Sequence, residues 1–68
     1  MPWSNENYPR SMKNLSPETR KKAIEIANAL YEDEHYDEGR SIAIATDRAN
    51  AWAKNRGKPV KKDSKKAK

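Results

Sequence analysis

Six lysines between residues 58 and 68 are the residues whose type and spacing most directly suggest a binding function. Together with Asp63 they account for the whole formal net charge of +5, because residues 1–57 contain nine Lys or Arg against nine Asp or Glu. Lysine ammonium groups neutralise phosphates and release condensed counterions without reading bases. An aromatic side chain for stacking on unpaired bases is missing from the segment, which argues against a dedicated single-strand binder. The candidate nucleic-acid-binding residues here are Lys58, Lys61, Lys62, Lys65, Lys66 and Lys68.

A second basic cluster consists of the consecutive residues Arg20, Lys21 and Lys22. On the surface of a helix these three side chains extend the phosphate-binding candidates. The alternative is an ordinary solvated helix face with local ion pairs, such as Lys21 with Glu25 one turn later. For the lysines of residues 58–68 the alternative is a tail that only aids solubility.

Residues 32–38 combine carboxylates with the single histidine, His35, and raise the question of metal binding or catalysis. The acidic residues do not match the spacing of a calcium-binding loop, and a solvated loop between helices is the alternative. His35 has no recognisable nucleophile motif beside it, and two glycines cannot form a glycine-rich phosphate loop. The chain also contains no cysteine. From these observations together we expect no metal site, no cofactor, no catalytic residue and no enzymatic activity.

Helices must position these side chains, and the hydrophobic pattern predicts three of them. A short one covers residues 9–14, and longer ones cover residues 17–32 and 41–56. Ser16 is a good N-cap with Pro17 at the first helical position, and apolar residues of the second helix fall on one broad face. Gly39 predicts a turn before the third helix, which Gly57 ends.

The sequence therefore predicts an all-α fold: a small three-helix domain over residues 1–57 with a disordered Lys-rich tail over residues 58–68. A tail with so few apolar side chains cannot offset its ordering entropy. Ile44 lies off the main apolar face, so either the third helix begins later than Ser41 or Ile44 packs against the N-terminal segment. The predicted core comprises Trp3, Tyr8, Met12, Leu15, Ala23, Ile24, Ile26, Ala27, Leu30, Tyr31, Ile42, Ala45, Ala49 and Trp52.

The cellular location and the oligomeric state are predicted from sequence features that the 68 residues lack. Absence of cysteine suits the cytoplasm, and the N-terminus has neither the basic nor the apolar region of a signal peptide. No apolar run approaches the roughly 20 residues that span a bilayer. We expect a cytoplasmic protein without membrane contact, present as a monomer or weak homodimer.

Several stretches of the sequence resemble the N-terminal region of bacterial YdaT-like general stress proteins. They are residues 1–3, 8–15, 20–30, 38–45 and 51–53, which include the Met-Pro-Trp start and the Ala-Trp-Ala element. The same start and the Pro-x-Ser-x-Lys segment are more distantly similar to the ChaB-like family. The resemblance implies a helical fold and a stress association, and it brings no catalytic residues. The ChaB-like similarity adds the alternative of a cation-linked regulatory protein.

The leading hypothesis for function is a non-enzymatic binding module. Its basic tail contacts nucleic acid or another polyanion weakly and without sequence preference. The alternative is a protein-interaction or structural module whose partner contacts the neutral helical body.

Overall fold

Two antiparallel α-helices and one 3-10 turn form the fold in a computed structural model that describes residues 2–57. The 3-10 turn covers Arg10–Met12, helix α1 covers Pro17–Asp33 and helix α2 covers Glu38–Asn55. No β-strand occurs within these residues, where an isolated bridge pairs Ser4 with Asn7. The all-α class is confirmed, and the predicted short helix of residues 9–14 is a single turn. The predicted disordered tail lies outside the described residues.

Helix α1 begins where its capping residues predict. The Ser16 hydroxyl accepts a hydrogen bond from the Thr19 N–H at 3.4 Å, and Pro17 occupies the first turn. Helix α1 ends at Asp33, one residue beyond the predicted end. These contacts satisfy backbone donors that the start of a helix leaves without partners.

Helix α2 begins at Glu38, three residues earlier than predicted. The Asp37 carboxylate caps it by accepting a hydrogen bond from the Arg40 N–H at 2.7 Å. The prediction of a turn at Gly39 was therefore wrong, because this glycine lies inside the first helical turn. This earlier start excludes the alternative that α2 begins later than Ser41. Ile44 therefore lies within the helix, half-buried against the core.

The short connection between the helices turns at His35, whose φ of 62° lies in the left-handed region. Histidine is among the non-glycine residues that adopt this conformation more readily than most. Beyond it, the Tyr36 N–H donates to the Leu30 carbonyl at 3.2 Å and satisfies an acceptor at the end of α1. His35 therefore has a role in the backbone of the turn.

Small residues at intervals of four line both faces of the contact between the helices. In α1 they are Thr19, Ala23 and Ala27, and in α2 they are Ser41, Ala45, Ala49 and Ala53; all seven are fully buried. Because the distance between packed helices depends on the side chains at the contact, small residues bring the two backbones close together.

Larger apolar side chains close the core around this contact. Met12, Leu15, Ile24 and Leu30 are buried, while Trp3, Tyr8, Ile26, Ile42 and Ile44 pack against them half-buried. The core prediction was wrong for Tyr31, which is 37% exposed. It was also wrong for Trp52, which is half-buried outside this cluster, with Ala53 buried beside it. Closely packed helices leave no room for either ring between them.

Replacing Ser41 by alanine is expected to stabilise the fold. The side chain is completely buried, and its Oγ has no hydrogen-bond partner among the described residues. Removing an unsatisfied buried hydroxyl should raise the free energy of unfolding by about 1 kcal/mol, and alanine is also the better helix former. Thermal unfolding followed by circular dichroism measures the change.

The exposed Ala43→Ser variant of the same helix is the matched control, because it isolates helix propensity from burial. It should lower stability by only a few tenths of a kcal/mol. A loss of stability in the Ser41→Ala protein would contradict the geometry of an unpartnered hydroxyl.

Candidate nucleic-acid interface at one end of the hairpin

The antiparallel hairpin brings the start of α1 beside the end of α2. Glu18, Lys21 and Lys22 of α1 line a shallow groove of ≈ 340 Å³ together with Trp52 of α2. This is the end of the molecule at which Gly57 leads into Lys58, the first lysine of residues 58–68. We call the residues Lys21, Lys22, Trp52 and Arg56 the basic end.

Trp52 is the centre of the basic end, with a cation from each helix against its ring. The Lys22 Nζ lies 5.6 Å from the ring centroid, and the Arg56 guanidinium carbon lies 5.3 Å from it. Lys22 also forms an ion pair of 3.4 Å with Glu25, one turn further along α1. Sequence reasoning predicted the pair with Lys21 and missed both cation–π contacts, because the latter depend on how the helices pack.

The backbone after Trp52 ends helix α2. The Arg56 N–H donates to the carbonyls of Trp52 and Ala53, both at 3.2 Å, and closes the last turn of α2. Gly57 follows with a φ of +69°, a left-handed conformation that glycine adopts without strain. The predicted lysine sites beyond Gly57 lie outside the described residues, but their point of attachment is thereby fixed at the basic end.

Arg20, also predicted to bind nucleic acid, is engaged within the molecule. Its guanidinium donates hydrogen bonds to the carbonyls of Met12, Lys13 and Leu15 at distances between 2.9 and 3.2 Å. The same group stacks over the Tyr8 ring, with 4.7 Å from the guanidinium carbon to the centroid. Arg20 therefore fastens the N-terminal segment to α1, whereas the neighbouring Lys21 is exposed.

The N-terminal segment lies beside Lys21, where two hydrogen bonds between Asn28 and Trp3 hold it against α1. The Trp3 N–H donates to the Asn28 Oδ1 at 3.1 Å, and the Asn28 Nδ2 donates to the Trp3 carbonyl at 3.0 Å. Asn28 is a polar residue of α1, yet it is buried. Trp3 and Lys21 line a further groove together with Asn28.

The acidic residues 32–38 lie at the opposite end of the hairpin. The 17 residues of α1 separate the two ends by about 25 Å of helix. Within residues 2–57 no three side chains of Asp, Glu, His or Cys are grouped so that they could hold a metal ion. Arg40 stacks against Tyr36 at this end, with 5.7 Å from the guanidinium carbon to the ring centroid. The acidic residues 32–38 therefore lie far from the groove lined by Lys21, Lys22 and Trp52.

Comparison with known proteins finds a similarity over most of the chain. A protein of Bacillus subtilis (strain 168), described as uncharacterized protein YdaT, is 60% identical to the chain over 55 residues. The chain is similar to YdaT over those residues. They make up 81% of the chain, which spans only 36% of the length of YdaT.

The YdaT-like resemblance is thereby confirmed over most of the chain. No protein-family model and no solved structure matches the chain, and the ChaB-like similarity stays a prediction. In the part that the structure describes, neither helix is both long and apolar enough to cross a membrane.

Proposed function

We propose that the chain is a non-enzymatic module that binds nucleic acid weakly, without sequence preference, through the basic end and residues 58–68. The observation that carries the proposal is the position of Lys21 and Lys22 at the end of the hairpin where Gly57 leads into residues 58–68. Lys21 and Lys22 of α1 lie beside Trp52 of α2, five residues before the glycine that leads into six further lysines. Phosphates along a nucleic-acid backbone would meet both sets of cations at once.

The position of the acidic residues 32–38 supports this assignment. Residues 1–57 carry balanced charge, so the helical body as a whole does not attract a polyanion. Residues 32–38 lie about 25 Å away along α1, so their repulsion at the basic end is largely screened, because the Debye length is about 8 Å at physiological ionic strength. Glu18 is a carboxylate that lines the groove at the basic end itself. The local charge at the basic end then governs the encounter.

The location and the biological setting are part of the proposal. We place the protein in the cytoplasm, where nucleic acid is accessible and a chain without cysteine is at no disadvantage. A stress association is implied by the YdaT-like resemblance alone. It is tested by measuring the level of the protein in its own cells before and after stress.

A protein-interaction module is the second candidate, and exposed aromatic side chains favour it. Tyr31 is 37% exposed and meets Trp3 edge to face, with 5.6 Å between the ring centroids. Tyrosine and tryptophan are enriched at the centres of protein interfaces. A protein partner would contact this surface, which is made by residues outside the basic end.

Titration of the full chain with duplex DNA, RNA and a neutral polymer distinguishes the two candidates. We expect both nucleic acids to shift the backbone amides of residues 20–22 and 52–57, and to leave residues 32–38 unchanged. The neutral polymer should shift none of them. Two-dimensional nuclear magnetic resonance spectra of the labelled protein provide the measurement.

A matched pair of variants controls for net charge. Lys21→Gln and Arg40→Gln each remove one positive charge, from the basic end and from the opposite end respectively. Lys21→Gln should weaken binding more than Arg40→Gln. Equal effects, or amide shifts that cluster around Trp3 and Tyr31, would contradict the proposed interface.

A further inference from the structure

Trp52 is a large aromatic side chain that the core does not use. It lies half-buried outside the hydrophobic cluster, while Ala53 beside it is fully buried. Its ring lines the groove that it shares with Glu18, Lys21 and Lys22. A molecule that enters this groove therefore contacts the indole ring.

Two cations accompany the ring, and they come from different helices. Lys22 of α1 and Arg56 at the end of α2 each lie within 6 Å of the ring centroid. Proteins that bind single-stranded nucleic acid combine these two elements: an aromatic face on which a base stacks, and cations that contact the flanking phosphates. The lysine-rich residues 58–68 lack an aromatic side chain, and the hairpin supplies one close to where they begin.

Glu18 also lines the groove and indicates which part of the ligand enters it. A carboxylate at the rim disfavours a phosphate inside the groove, because like charges repel. It is compatible with an uncharged base, because a carboxylate accepts hydrogen bonds from base N–H groups. The groove therefore suits a base, and the cations outside it suit the backbone.

We propose that Trp52 stacks on an unpaired base, so that the basic end discriminates single-stranded nucleic acid from duplex; this inference rests on the proposed function. In a duplex each base is already stacked on its neighbours, and the protein reaches the phosphates alone. On a single strand the unpaired base stacks on the face of the indole ring, and Lys22 and Arg56 move to the adjacent phosphates. Cation–π contacts at exposed sites are weak, so this exchange is readily made.

The test measures the binding of the full chain to a labelled oligothymidylate of about 15 nucleotides, and to a duplex with the same number of phosphates. Trp52→Leu is expected to lower affinity for the single strand by about fivefold or more. The same change should leave affinity for the duplex within about twofold, because phosphate contacts dominate there. Trp52→Phe retains an aromatic face and should restore most of the single-strand affinity.

A second measurement leaves Trp52 unchanged and so does not depend on how its variants fold. In a Trp3→Phe chain Trp52 is the remaining tryptophan, and its fluorescence should be quenched by oligothymidylate but not by the duplex. Absence of quenching by the bound single strand, or an equal effect of Trp52→Leu on both ligands, would overturn the inference. The proposed function would still stand if the unaltered chain bound both ligands. If the unaltered chain bound neither, the proposed function would fail and the inference with it.

Discussion

Removal of residues 58–68 is expected to weaken binding to duplex DNA by about a hundredfold or more at about 50 mM salt, while the fold is retained. All six lysines of the segment are lost, and the remaining residues carry nine positive and nine negative charges. The helices are unaffected, because their packing and caps lie within residues 2–57. Fluorescence anisotropy with a labelled duplex measures the affinity, and circular dichroism verifies the fold.

The salt dependence of binding gives the number of cations that contact phosphate. Full-length binding should have a Kd on the order of 10⁻⁴ to 10⁻⁶ M at physiological salt. If all six lysines of residues 58–68 contact duplex DNA, they contribute a slope of log Kobs against log salt near −5. The truncated chain retains Lys21, Lys22 and Arg56, so its slope should be about −3 or shallower.

A full-length variant with glutamine in place of the six lysines separates the effect of charge from that of chain length. It should bind as weakly as the truncated chain and show the same shallow salt dependence. If the truncated protein binds duplex DNA as well as the full chain does, residues 58–68 are not the main contact. The basic end of the hairpin then becomes the whole interface. If neither form binds at low salt, nucleic acid is the wrong class of partner.

Local sequence signals predicted helix α1 well and the start of α2 poorly. Ser16 and Pro17 combine a cap with a residue suited to the first turn, and α1 begins where they predict. In α2 two signals conflict, because Asp37 indicates the start of a helix whereas Gly39 indicates a turn. The cap prevails because Asp37 accepts a hydrogen bond from Arg40, and glycine within the first turn costs only about 1 kcal/mol relative to alanine.

Periodicity predicted which face of each helix points inward, but it did not reveal how close the two helices lie. Tyr31 and Trp52 lie near the apolar faces of their helices and were predicted to be core residues for that reason. Small residues at the contact bring the backbones together and leave the rings at the edge. The roles of Asn28 and Arg20 depend on segments distant in sequence, and helical periodicity gives no signal for such contacts.

Most of the candidate site could be predicted from charge alone, and its assembly could not. The lysines of residues 58–68 and the Arg20-Lys21-Lys22 cluster are visible in the sequence. The hairpin places Lys21 and Lys22 at the end where Gly57 leads into residues 58–68, and it gives Arg20 a different role in fastening the N-terminal segment. The aromatic ring between Lys22 and Arg56 depends on the tertiary packing of α1 against α2.

Replacing Ala45 by leucine is expected to destabilise the hairpin severely. Ala45 is completely buried among the small residues of α2 that face α1. Three extra heavy atoms at this position force the helices apart or push neighbouring side chains off their preferred rotamers, which costs about 1 to 3 kcal/mol and occasionally more. A domain of this size has only about 3 to 5 kcal/mol of stability from its core. The variant should therefore be partly unfolded at moderate temperature.

Ala43→Leu is the matched control, because it makes the same chemical change on the exposed face of the same helix. It should change the free energy of unfolding by less than about 0.5 kcal/mol, as surface substitutions usually do. Urea unfolding followed by circular dichroism gives both values. Equal stabilities of the two variants would show that the helices are not in close contact at Ala45. Separation of the helices would also move Trp52 and Arg56 away from Lys22, so Ala45→Leu should weaken nucleic-acid binding through loss of the folded basic end. Ala43→Leu should bind as the unaltered chain does.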